Sequence, residues 1–155
     1  MKKLFSLLLA ITLLVAFYPS SANAAENDST IEYLEDGSYF VTVIENEPAE
    51  GTLPMAKNTV TKSKTTYFKN KSGTTLWYVR VKGTFTYGNG TAKCTSATPS
   101  AESKSSAWKV SSATGSKSGN KASATATGKQ YAGGIVVDTK TKTVTLTCSP
   151  DGKFS

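Results

Sequence analysis

The sequence predicts an all-β protein, an antiparallel β-sandwich of immunoglobulin-like or jelly-roll-like kind. Three observations predict it. Beyond residue 24 no stretch shows helical periodicity. Short runs rich in Thr, Val, Tyr and Phe alternate in polarity, as half-buried strands do. Turns built on Gly, Asn and Asp recur between these runs, which gives roughly eight to ten short strands.

The elements follow in order. Ile31–Glu35 and Ser38–Glu45 flank Asp36-Gly37, a two-residue hairpin signal. Tyr39, Val41 and Val43 share one face of the second run, and Phe40, Thr42 and Ile44 share the other. Residues 46–58, with Pro48, Gly51 and Pro54, carry no period and read as a linker. Thr59–Phe68 is a strand, turned by Asn70-Lys71-Ser72-Gly73. Thr74–Tyr87 is a long strand with Trp77, Val79, Val81, Phe85 and Tyr87 on one side. Its other side carries Tyr78, Arg80 and Lys82. Gly88-Asn89-Gly90 closes it, and a strand around Cys94 follows. Residues 97–106 read as irregular. Ala107–Ser118 and Lys121–Tyr131 flank the turn Gly119-Asn120. Simple pairing there joins Ala113 and Gly115 to a flat face of Ala122, Ala124, Ala126 and Gly128, and places Trp108 and Tyr131 together on the opposite face. Ile135–Val137, a Thr-Lys turn and Thr143–Cys148 make a last hairpin.

The organisation is expected as a signal peptide (1–24), an acidic N-terminal hairpin (25–50), a linker (51–58) and a basic sandwich domain (59–155). Lys2 and Lys3 precede an apolar run from Leu4 to Phe17, and Ala22-Asn23-Ala24 supplies small residues for cleavage. That run is too short to span roughly 30 Å of hydrocarbon easily. The expectation is a secreted, extracellular chain, free or associated with the cell wall, with no transmembrane segment after cleavage. Cys94 and Cys148 form an even count in an oxidising compartment, which predicts one disulfide. By chain entropy it would contribute about 4 kcal/mol.

Charge is divided along the chain. Residues 25–50 carry eight acids and no base, whereas residues 51–155 carry sixteen bases and three acids. Such asymmetry speaks of partners. Either the halves bind each other, or the basic body meets an external polyanion. A third reading is that the lysines are solvated outward residues that guard sheet edges.

Several segments together carry a resemblance: Ile31 to Thr42, Gly83-Thr-Phe-Thr-Tyr87 with Cys94-Thr95, Gly119 to Ala124, and Thr143-Val-Thr-Leu-Thr-Cys148. They resemble a group of small exported proteins of Gram-positive bacteria with no assigned activity. The resemblance implies export and a bacterial origin. It implies no functional residue.

Catalysis is not expected. The chain has no histidine, the commonest general base and metal ligand. Two distant cysteines do not make a zinc motif. Ser118-Gly119-Asn120-Lys121 matches Ser-x-x-Lys, but on a hairpin tip rather than opening a helix. Glu102, Asp138 and Asp151 are the only body acids, and nothing in the sequence pairs two of them as sugar hydrolysis requires. No enzyme, no cofactor and no metal are expected.

What remains is binding. A basic extracellular body meets anionic cell-wall polymers, anionic lipids and acidic glycans before nucleic acid. Tyr78, Arg80 and Lys82 are the candidate ligand-binding surface, an aromatic ring beside two cations. Two other readings remain: a toxin or bacteriocin-like protein masked by an acidic pro-segment, and an inhibitor or host-facing effector acting through residues 97–106.

Overall fold

Alternation along the longest strand sets the frame. Trp77, Val79, Val81 and Phe85 all point to one side of it and are fully buried. The computed structural model describes residues 29–47 and 58–155. The expected signal peptide and most of the expected linker lie outside the described residues. The described residues form nine strands: β1 (Ser29–Tyr33), β2 (Tyr39–Asn46), β3 (Thr59–Lys69), β4 (Thr75–Gly88), β5 (Thr91–Ser103), β6 (Trp108–Val110), β7 (Thr114–Ser118), β8 (Lys121–Ala132) and β9 (Ile135–Thr147). No helix occurs among the described residues.

All pairings are antiparallel and fall into two sheets. The first runs β1-β2-β3-β4-β5 in chain order. In the second, β6 and β7 both pair with β8, and β9 pairs with β8 as well. The five-stranded order corrects the immunoglobulin-like or jelly-roll-like expectation, because those folds interleave distant strands. The cause is local. Short turns join β1 to β2, β3 to β4 and β4 to β5, and strands joined this way pair with each other.

The buried faces of both sheets share one core. Ala122, Ala124 and Ala126 of β8 are small and fully covered. A Cβ on Gly128 would stand 2.6 Å from the Trp77 indole, and one on Gly115 would stand 2.7 Å from Pro99. The flat face expected from the alanines therefore receives the large side chains of β4 and β5. Phe68 packs against Phe40 and Trp108 with ring centroids 5.1 Å apart in each pair.

The acidic hairpin is continuous with the basic body. β2 pairs with β3 from Tyr39 opposite Lys69 to Asn46 opposite Lys62, and Phe40 joins the core.

Other expectations need correction. The Asp36-Gly37 turn is longer than two residues. Gly37 donates its N–H to Leu34, the Leu34 N–H bonds Ser38, and Gly37 has φ 79°. That is a type I turn closed by a left-handed glycine, and Asn70–Thr74 and Ser149–Lys153 repeat its hydrogen bonds. Residues 97–103 are not irregular, because β5 continues through them opposite β4. Ile135 to Thr147 is one strand, since alternating Thr and Lys itself satisfies a period of two. Trp108 stands opposite Gln130, not Tyr131, and is buried. Gln130 shares the inward parity of Ala126 and Gly128, so Trp108, set opposite it in a regular register, faces the core.

The expected disulfide is absent. Cys94 and Cys148 are separate, buried thiols. Cys94 Sγ donates to Ser96 O at 3.2 Å and Cys148 Sγ to Ser149 O at 3.4 Å, each satisfied within its own segment. An even cysteine count states opportunity, whereas bridging needs geometry that the count does not contain.

Candidate functional site

The parity that buries Trp77 and Val79 sends Tyr78, Arg80 and Lys82 to the solvent side of β4. Register extends that side across the sheet. Ile31, Val41, Tyr67, Tyr78 and Glu102 form one row running from β1 to β5. Tyr33 and Tyr39 lie opposite each other one step along, with rings 5.4 Å apart. The Tyr67 and Tyr78 rings lie 5.9 Å apart. Four tyrosines thus share one outward face, and Tyr33 is 72% exposed.

Tyr78 is held in place by its neighbours. Its hydroxyl donates to Glu102 Oε2 at 3.1 Å, and Lys104 Nζ stands 2.8 Å from the same oxygen and 5.6 Å above the Tyr78 ring. Burial, followed by the hydrogen bond to Glu102 and then its charge, pushes the Tyr78 phenol above its ordinary pKa. Bonds from Lys104 and Tyr78 hold Glu102 below the usual carboxylate range. Tyr78 is therefore a protonated, oriented donor beside an aromatic partner.

Arg80 and Lys82 are placed differently from expectation. Arg80 Nη2 bonds Glu47 Oε1 and donates to Ser63 Oγ at 2.8 Å. Lys82 Nζ lies 3.9 Å from Glu47 Oε2. Burial pushes the Glu47 carboxyl up, but the Ser63 hydroxyl and the Arg80 guanidinium outweigh it and leave the group below its ordinary value. The predicted trio therefore divides. Tyr78 presents a ring, while both cations face an internal carboxylate. Sequence reading missed Tyr33 and Tyr39 as members of this face. The parity of β2 and β3, carried across the strand pairing, would have placed Tyr39 and Tyr67 beside Tyr78.

The opposed charges of the two halves meet within the fold. Lys142 Nζ bonds Glu32 Oε2 and lies 4.5 Å over the Phe40 ring. Lys140 Nζ lies 3.4 Å from both Asp36 Oδ2 and Asp138 Oδ2. Glu32, Asp36, Phe40, Lys140 and Lys142 line a cleft of about 530 Å³ between the acidic hairpin and β9.

Burial raises the pKa of both thiols, so neither is an activated nucleophile. Ser118 and Lys121 pair across the β7–β8 turn. Among the described residues no group of three or more His, Cys, Asp or Glu is placed to hold a metal ion. Comparison with protein families, with curated proteins and with solved structures gives no match.

Proposed function

We propose that this chain is an exported β-sandwich binding module, non-catalytic, that attaches to anionic polymers of the cell envelope or extracellular space. The observation that carries the reading is the outward face of the five-stranded sheet, where Tyr33, Tyr39, Tyr67 and Tyr78 lie together. Aromatic faces with a polar tip suit the stacking of sugar rings in an extended chain. Lys69 and Lys104 border the tyrosines and supply charge for phosphate or carboxylate groups on that chain. Export rests on residues 1–24, and the anionic character of the ligand on the net charge of +5 carried by residues 25–155.

The toxin reading would require removal of β2, which lies between β1 and β3 and contributes Phe40 to the core. The inhibitor reading loses its irregular loop, because residues 97–103 are strand. Neither has an observation in its favour.

The test is co-sedimentation with purified Gram-positive cell walls, with and without teichoic acid. The protein should sediment with walls, be released by salt, and bind less to walls stripped of teichoic acid. Tyr67→Ala with Tyr78→Ala should weaken binding by about tenfold, from roughly 0.5–1.5 kcal/mol per aromatic contact. Retention by walls that is indifferent to both tyrosines would sink the assignment of this face.

A further inference from the structure

The β8–β9 turn projects exposed apolar residues. Ile135 is 70%, Val136 43% and Val137 57% exposed. They are consecutive in a strand, so they point to both sides of the hairpin. Gly133 and Gly134, with φ 57° and 82°, form the tip and carry no side chain to shield them. A folded partner docking on one flat side would cover only alternate residues. Apolar groups on both sides suit immersion in an apolar medium.

The residues behind the tip are ordered by polarity. Tyr131 stands opposite Val136. Lys109 Nζ lies 5.0 Å over the Tyr131 ring. Lys109 and Lys129 face each other directly across β6 and β8, and both are exposed. Like charges opposite one another in a sheet repel. Neither lysine has an acidic partner among the described residues, whereas Lys140 and Lys142 do. Along this end of the molecule Ile135 lies nearest the tip, Tyr131 is level with Val136, and the paired lysines stand behind them. A bilayer presents the matching order: acyl chain, interface, phosphate. Three residues of strand reach about 10 Å, the depth of the headgroup and acyl boundary.

We propose that the β8–β9 tip is a membrane-docking wedge that seats Ile135, Val136 and Val137 in an anionic lipid bilayer, with Lys109 and Lys129 on its phosphates. It lies on the second sheet, away from the tyrosine face, and stands independently of polymer binding.

Vesicle flotation of the full chain tests it. Vesicles of phosphatidylcholine alone are compared with an equal mixture of phosphatidylcholine and phosphatidylglycerol. The protein should float with the anionic vesicles and be released by salt. Ile135→Ser with Val137→Ser should reduce partitioning by at least about tenfold. Lys109→Gln and Lys129→Gln should each cost about fivefold. All four positions are exposed, so melting temperatures should match the parent. Tyr67→Ala with Tyr78→Ala should change nothing here, which separates this result from failure of the polymer reading. Absence of flotation with anionic vesicles, or flotation unaffected by the serine changes, overturns the wedge. So does self-association that the serine changes abolish, since the tip would then be a contact between copies.

Discussion

Two adjacent threonines are buried for opposite reasons. Thr65 and Thr66 on β3 are each 1% exposed. The Thr66 hydroxyl bonds the Thr42 hydroxyl at 2.8 Å, whereas Thr65 Oγ1 has no hydrogen-bond partner among the described residues. A buried hydroxyl without a partner costs about 1–3 kcal/mol, and a satisfied one contributes about 1 kcal/mol. Thr65→Val should therefore stabilise the protein by about 1 kcal/mol, since shape is kept and the unmet hydroxyl is removed. Thr66→Val should destabilise by about 1–2 kcal/mol, because it also leaves Thr42 without its partner. Urea midpoints at constant slope would show the two shifts. Shifts of the same sign would contradict this account. Trp77 Nε1 is likewise buried and has no partner among the described residues. That indole is positioned by shape, against the bare backbone of Gly128.

The approach of the sheets depends on elements that present no side chain where the other sheet presents a large one. Gly128 lies in β8 without a positive φ, so its requirement is space. Gly128→Ala should destabilise by about 1–3 kcal/mol through displacement of Trp77, measured as a fall in melting temperature. A Gly133→Ala control meets nothing within 4 Å and carries only the cost of its positive φ. An unchanged melting temperature for Gly128→Ala would mean that the sheets can separate freely. This close approach was legible in the sequence, because the alanines and Gly128 share parity. The long strand β4 was legible for the same reason. Register and strand ends were not. Thr and Lys on both faces fit either direction, so β9 reads as two short strands although it is one. The irregularity between Gln130 and Tyr131 in the pairing of β8 with β9 leaves no mark in residue type. The tyrosine face was half legible: Tyr78 could be placed on the outward side of β4, but its neighbours come from strands whose pairing only the fold defines.

At the scale of the whole molecule, the split of charge along the chain is used within the fold before any ligand arrives. Glu32, Asp36 and Glu47 of the acidic segment each meet a cation of the body. The sequence shows the opposition of charge but not its use, because Lys140, Lys142 and Arg80 reach those acids only through the sheet order. A dependence on pH follows. Glu47 and Asp36 titrate below their ordinary values in the folded protein, Asp36 chiefly through its Ser38 hydrogen bond. A carboxylate depressed by folding contributes stability that is complete above its unfolded pKa, about 4, and is lost as pH falls through the lower folded value. Lys140 is raised, since the carboxylates of Asp138 and Asp36 outweigh its burial. Its contribution is complete below about pH 10 and is lost as pH rises through the folded value. Stability should thus be level between these limits and fall below about pH 4. Glu47 is the least exposed of the three acids, at 11% for its side chain. Glu47→Gln should cost about 1–3 kcal/mol at neutral pH, because Arg80 loses a charged partner. The same change should flatten the acid limb of the stability curve, since one depressed carboxyl no longer titrates. Chemical denaturation of parent and Glu47→Gln across pH 2 to 7 measures both effects. An acid limb of equal slope in the two proteins would show that Glu47 carries none of this dependence.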